Sequence, residues 1–240
     1  MQTISNQTVA WAREKQLRHW YKDETTSTND IAKQEVETIE DFKLFVTNWQ
    51  TNGRGRGENT WTNPSERNSL LSTWVYKTNT TPQHFLPALM GLSLLQACQS
   101  TWASLAWSLK APNDCFINDK KVAGLLIETI SQGDDTYILV GLGFNIFSSP
   151  EELQTSSHLV DFLGDKKSFS EEQWISFLNN LKINFDAAVE QAEQIKISEE
   201  KRDQLLEALN ANPWKKETYI EITDQGDLVT EKETISWRDL

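Results

Sequence analysis

The 240-residue sequence predicts an α+β protein: a mixed, mostly antiparallel sheet backed by helices. Three observations carry that prediction. Strand-period segments follow one another from residue 42 to residue 147, a dense apolar helix interrupts them once, and two long charged helices follow residue 170. Leu17 to Lys22 reads as a short strand, and Thr28 or Asn29 is expected to cap a helix whose apolar positions Ile31, Ala32, Val36 and Ile39 recur at helical spacing. Phe42, Leu44 and Val46 alternate along a strand from Phe42 to Trp49, which delivers Gln50 to a glycine- and arginine-rich loop. Ser69 to Tyr76 is the next strand.

Between Phe85 and Ala97, the residues Leu86, Leu89, Met90, Leu92 and Leu95 predict a buried helix with Pro87 in its first turn and Gly91 tolerated inside. Further strands are expected at Leu105 to Lys110, in a hairpin from Phe116 to Ile130 turning at Asn118-Asp119, and at Thr136 to Phe147. Ser170 and Gln173 form a capping-box pattern that opens a helix reaching about Glu193, and Ser198 opens another from Glu199 to Asn210. Their charge is read as a solvated outer face. Pro213 breaks the pattern, and Tyr219, Ile220, Ile222, Leu228 and Val229 around Gln225-Gly226-Asp227 predict a terminal hairpin. The organisation expected is one main domain over residues 1–212 and a short β segment over 213–240.

Acidic residues outnumber basic ones 35 to 23, for a net charge of -12 and a pI near 4.8, which argues against a surface that tracks nucleic acid. Cys98 and Cys115 are the only cysteines, no apolar run reaches membrane-spanning length, and the stretch Met1 to Val9 is polar. A reduced, cytoplasmic protein is the expectation. His19, His84 and His158 are scattered with no second ligand at metal spacing, so no metal site is assigned to them.

The segment Gly53-Arg54-Gly55-Arg56-Gly57, followed by Glu58, Asn59, Thr60 and Trp61, sets two guanidinium groups on a backbone with little side-chain bulk. Glycines permit positive φ and let amide groups close on an anion, while each arginine offers a planar donor fork suited to carboxylate or phosphate. Alone, such a segment equally describes a mobile loop or a nucleic-acid tail. In an acidic chain, the two arginines read as a positive island for a small anionic ligand. Polar residues also gather at Lys110 to Asp114, Lys120 to Gly124 and Gly141 to Asn145, where a turn, a solvated lysine pair and close glycine packing are the plain explanations.

Taken together, in order and spacing, these segments resemble the biotin protein ligases over roughly residues 16 to 147. The matching elements are Ser27-Thr28-Asn29 with Ala32, Gln50 with the loop Gly53 to Trp61, Lys110 with Pro112-Asn113-Asp114, Lys121 with Ala123-Gly124-Leu125-Leu126 and Glu128, and Gly141, Gly143 and Asn145. Lipoate ligases share the fold but lack the arginine loop. The resemblance implies the catalytic-domain fold of that family, akin to class II aminoacyl-tRNA synthetases. It also implies a two-step reaction: biotin's carboxylate attacks the α-phosphate of ATP, and the biotinyl-adenylate then acylates a lysine of a biotin carboxyl carrier protein.

By the same resemblance, biotin is expected at Ser27, Thr28, Asn29, Gln50, Gly53, Arg54, Lys121 and Gly124, with Arg54 near its carboxylate. The nucleotide is expected at Gly55, Arg56, Trp61, Asn113, Lys121 and Asn145, and catalysis at Arg54, Lys110, Asp114 and Lys121. Mg²⁺ is expected to arrive with ATP, without a dedicated protein cage. The partners implied are biotin, ATP and the carrier protein, with no DNA and no membrane, and a homodimer through a sheet edge is left open. The glycine-rich loop is expected to be mobile when empty and ordered over its ligands. Two departures stand out: Ala111 where the family usually has tryptophan, with Trp107 a candidate to fill the space, and Glu58 where it commonly has glycine.

About two dozen residues precede Ser27, too few for the N-terminal DNA-binding domain of some members, so no repressor function is expected. The segment after Pro213 is shorter than the SH3-like barrel most members append, and one hairpin or a vestigial form of it is expected. Two other readings remain: a lipoate ligase-like acyl-adenylating enzyme, and a catalytically silent biotin- or nucleotide-binding protein.

Overall fold

The computed structural model describes residues 3–64, 67–164, 168–213, 215 and 217–237. In chain order the elements are α1 (Ile4–Glu14), β1 (His19–Thr25), α2 (Thr28–Glu35), β2 (Phe42–Gln50), β3 (Ser69–Thr78), α3 (Leu86–Thr101), β4 (Trp107–Lys110) and β5 (Asp114–Ile117). There follow β6 (Lys120–Gln132), β7 (Asp135–Asn145), α4 (Leu159–Phe162), α5 (Glu171–Ala192), α6 (Glu199–Ala211), β8 (Glu221–Ile222), β9 (Leu228–Val229) and β10 (Thr234–Ile235). The chain divides into two units, one comprising Met1–Thr80 with Lys120–Ile175 and the other Thr81–Asp119 with Ser176–Leu240.

In the first unit, five strands run in the order β1-β2-β3-β7-β6. β1 and β2 pair in parallel, and the other neighbouring strands named here are antiparallel, so the expected mixed, mostly antiparallel sheet holds. On one face, Ala32, Val36 and Ile39 pack with Phe45, Val75, Tyr137 and Leu139. The helix behind that packing is shorter than its apolar spacing suggests: α2 stops at Glu35, a 3-10 turn covers Val36–Thr38, and Ile39 is already extended. Its N-cap is Ser27, not Thr28 or Asn29. Both of those residues lie inside the helix, and their side chains bond to neighbouring strands instead of to the helix end.

The polar-looking start of the chain is a helix. Thr3 caps α1 by accepting the Asn6 N–H at 3.2 Å, and Ile4, Val9, Trp11 and Ala12 are buried. Ser5 and Thr8 share the buried side because each finds a partner: the Ser5 hydroxyl donates to the Thr47 carbonyl at 2.8 Å, and Trp174 Nε1 donates to Thr8 Oγ1 at 3.2 Å. Trp11 meets Trp74 with ring centroids 5.8 Å apart. Trp74 alternates with Thr73 and Val75 along β3, so α1 covers the sheet face opposite α2.

In the second unit, α3 is buried along nearly its whole length, with Pro87 in its first turn as expected. Gly91 is required there, not merely tolerated, since a Cβ at that position would lie 2.4 Å from the Pro112 carbonyl oxygen. The strands β4 and β5 pair antiparallel with Lys110 opposite Asp114, so β5 begins two residues before Phe116. The break between β5 and β6 falls at Asn118-Asp119, where Asn118 takes φ 52°.

The capping box at the start of α5 is formed in both directions: the Ser170 N–H donates to Gln173 Oε1 at 3.1 Å, and the Gln173 N–H donates to Ser170 Oγ at 3.2 Å. Ser198 caps α6. The last segment forms a three-stranded sheet in the order β10-β9-β8, one strand more than the hairpin its sequence suggests. It is fastened at Gly226, whose φ of 91° and contact with Phe85 leave no room for a side chain and whose carbonyl accepts Trp237 Nε1.

Candidate active site

One face of the first unit's sheet carries most of the sequence-predicted residues. Across β3, β7 and β6, Thr73 lies opposite Gly141 and Gly141 opposite Leu126, Leu71 lies opposite Gly143 and Gly143 opposite Gly124, and Ser69 lies opposite Asn145. Residues directly paired across strands share a face. The two glycines make shallow beds in it. A Cβ on Gly141 would stand 2.5 Å from Asn29 Oδ1, and one on Gly143 would stand 2.5 Å from the Trp61 indole. One bed therefore holds the first turn of α2, and the other holds the end of the arginine loop.

Ser27, Thr28 and Asn29 are buried where α2 begins. The Thr28 N–H and hydroxyl donate to Gln50 Oε1 at 2.7 and 3.2 Å, and the Thr73 hydroxyl lies 2.8 Å from that of Thr28. Asn29 receives the Thr73 hydroxyl on its Oδ1 and donates from Nδ2 to Glu128 at 2.8 Å and to the Leu126 carbonyl at 3.4 Å. The expected biotin residues at α2 and at the end of β2 are thus joined in one polar network.

The arginine loop is a miniature hairpin. The Gly55 N–H donates to the Asn59 carbonyl at 2.8 Å, Asn59 to Arg56 at 3.2 Å, and Trp61 to Gly53 at 3.0 Å. Gly57 turns the tip with φ 63°, and Gly53 crosses so close to Trp61 that a Cβ would lie 2.6 Å from its carbonyl oxygen. Arg56 and Glu58 are exposed at the tip. At the base, Arg54 Nη1 and Nη2 meet the two Glu128 oxygens at 3.0 and 2.6 Å, while Nη2 also lies 2.8 Å from Asp30. Lys33 reaches the same Glu128 carboxylate at 2.7 Å.

Burial pushes the Glu128 carboxyl up, but hydrogen bonds from Arg54, Lys33 and Asn29 outweigh it and hold the pKa below the ordinary glutamate value. The bond to Glu128 in turn raises the Arg54 pKa. At the loop's other base, Lys121 Nζ lies 5.8 Å from the centroid of the Trp61 ring. Arg54 Nε and Trp61 Nε1 are buried donors with no partner among the described residues.

A segment with no recognisable motif holds Lys121 and Asn145 in place. The Lys121 N–H donates to the Thr155 carbonyl and its carbonyl accepts the Ser157 N–H, both at 2.9 Å. Asn145 Nδ2 donates to the Ser157 carbonyl at 3.2 Å, and its Oδ1 accepts the Ser69 hydroxyl at 3.4 Å. Sequence reasoning missed this brace, along with Asp30, Lys33 and Thr73, and it noted Glu128 without giving it a role. The one sequence signal for the cluster was the i, i+3 spacing of Asp30 and Lys33 beside Ser27-Thr28-Asn29.

Lys110, Asn113 and Asp114 lie in the second unit, together at the β4–β5 turn. Lys110 is exposed, pairs in register with Asp114, and places Nζ 5.8 Å from the Phe116 ring centroid. Ala111 precedes a cis Pro112, and the Trp107 indole donates to the Trp102 carbonyl. Among the described residues, no group of three or more His, Cys, Asp and Glu could hold a metal ion, and no helix is long and apolar enough to cross a membrane.

The fold is that of biotin protein ligases. A structure of the Aquifex aeolicus enzyme in complex with biotin and ATP matches with a TM-score of 0.68 at 21% identity, covering 91% of this chain and 94% of that one. The Leishmania major enzyme in complex with biotin matches at 0.60 and 24% identity, covering 88% and 92%. Residues 21–145, more than half of the sequence, match the Biotin/lipoate A/B protein ligase family, and the chain belongs to that family. Human biotin–protein ligase is 32% identical over 114 residues, and the Escherichia coli bifunctional ligase/repressor BirA is 28% identical over 122. These matches cover 44% and 50% of this chain but only 15% and 38% of those relatives.

Proposed function

We propose that the chain is an ATP-dependent, AMP-forming ligase that activates biotin as biotinyl-5'-AMP and transfers the biotinyl group to a specific lysine of a biotin carboxyl carrier protein. The observation that carries this reading is the loop's seat: Trp61 rests on Gly143 with Lys121 beside its ring, on the same sheet face that gathers Thr28, Gln50 and Asn145. In the first step, a biotin carboxylate oxygen bonds to the α-phosphorus of ATP and pyrophosphate leaves. In the second, a lysine amine attacks the mixed anhydride's acyl carbon, loses a proton and expels AMP.

Both steps gather negative charge at the reacting centre, and a preorganised cation there lowers the barrier. Lys121 takes that role. Ser27, Thr28 and Gln50 serve as hydrogen-bonding partners for biotin with Gly124 as floor, while Gly55, Arg56, Trp61 and Asn145 serve the nucleotide. The buried Trp61 indole N–H, which has no partner among the described residues, suits an oxygen-rich ligand. Asp114 orients the incoming amine or takes its proton, with Lys110 and Asn113 beside it. Mg²⁺ arriving with ATP would supply charge neutralisation for its phosphates.

A biotin-dependent pyrophosphate-exchange assay tests the reading, run in parallel with lipoate. Exchange with biotin and not lipoate is expected. Exchange with lipoate alone would favour the family's other substrate class, and biotin binding without any exchange would leave a binding protein.

A further inference from the structure

The resemblance places Arg54 at a substrate carboxylate, yet both of its terminal nitrogens are already committed to carboxylates of the chain itself. Nη1 and Nη2 take the two oxygens of Glu128 at 3.0 and 2.6 Å, and Nη2 adds Asp30 at 2.8 Å. The cluster is also balanced in charge, with Arg54 and Lys33 against Asp30 and Glu128. An incoming carboxylate would have to displace a bidentate, charge-assisted pair whose partners are only 31% and 21% exposed.

The position of Arg54 matters as much as its charge. It stands at one base of the miniature hairpin, bridged to Thr60, while Trp61 stands at the other base on its Gly143 bed. Glu128 therefore ties the loop to β6 on one side, and through Asn29 and Lys33 it ties α2 to the same point.

We propose that Glu128 is a positioning residue that latches the Gly53 to Trp61 hairpin through Arg54, so that Arg54 anchors the loop instead of meeting a substrate anion. The latch deepens the ligase reading, but its existence does not depend on it. With the loop fixed at both bases, the anion-facing cation at the reacting centre is Lys121 rather than Arg54.

The test is a double-mutant cycle on the full chain with Arg54→Gln, Glu128→Gln and the pair combined. Without ligand, hydrogen exchange at the Gly55, Asn59 and Trp61 amides should accelerate about tenfold or more in each single variant. The double variant should be no faster than either, and Arg54→Lys, which keeps one charged contact, should fall between. In pyrophosphate exchange, both single variants should raise the KM for biotin by the same factor. Unchanged amide exchange in Glu128→Gln, or additive effects in the double variant, would overturn the latch. So would a lowered KM in Glu128→Gln with a raised one in Arg54→Gln, the pattern of an arginine released to bind substrate. If the wild-type chain shows no biotin-dependent pyrophosphate exchange, the ligase reading fails, and the amide exchange still decides the latch.

Discussion

Trp61 lies flat enough on β7 that a single methyl group on Gly143 would come within 2.5 Å of its ring. The glycine thus sets the height at which the loop's aromatic sits above the sheet, and with it the distance from Lys121. Gly143→Ala must lift the indole, because the neighbouring atoms belong to a rigid ring. We expect a loss of about 1–3 kcal/mol in urea unfolding and a raised KM for ATP, as an overpacked contact would produce. Unaltered nucleotide kinetics would show that the ring's height is unimportant to the site.

Lys121 should separate chemistry from folding. Its backbone is held by residues 155–157 whatever its side chain, so Lys121→Ala should keep a melting temperature near the wild type. Biotin-dependent pyrophosphate exchange should fall by about 100-fold to 1,000-fold, the usual cost of losing one preorganised charge partner. Full activity in this variant would remove Lys121 from the mechanism.

Gly91→Ala probes the second unit. The added Cβ would stand 2.4 Å from the Pro112 carbonyl oxygen, a backbone atom that cannot rotate away. A destabilisation of about 1–3 kcal/mol is expected, despite alanine's better helix propensity. A calorimetric scan showing equal or greater stability would mean that helix and turn separate freely.

Acid should loosen the Glu128 cluster. Because the folded pKa of Glu128 lies below its ordinary value of 4.5, the unfolded chain takes up this proton first as pH falls. Its contribution to stability is fully present above that ordinary value and is lost as pH drops through the depressed folded one. Urea titrations through this range should therefore show the wild type losing stability more steeply than Glu128→Gln, and parallel curves would contradict the cause assigned to the shift.

The parts of the molecule legible in the sequence are those whose signal is local. Ser170 and Gln173 announce a helix start and make both reciprocal bonds, and the alternation of Phe42, Leu44 and Val46 marks a real strand. Thr28 and Gln50, singled out by the resemblance, bond to each other. What escaped was non-local or disguised. Ser5 and Thr8 hide the buried stripe of α1 because their partners lie far along the chain. Glu128 has no local pattern to mark it as a hub, since its bonds reach residues 74 to 99 positions away. Gly91 looks like a flaw in a helix until Pro112 is seen against it.

The brace formed by Thr155, Ser156 and Ser157 changes how variants of this chain should be interpreted. Replacing Ser157 by proline would delete the N–H that engages the Lys121 carbonyl, and the Ser157 carbonyl is also the acceptor for the Asn145 amide. A lesion there would resemble a substitution of Lys121 itself, although no signature residue had been touched. Screens for inactive alleles that sample only the recognisable segments would overlook a stretch through which the site can be disabled from outside.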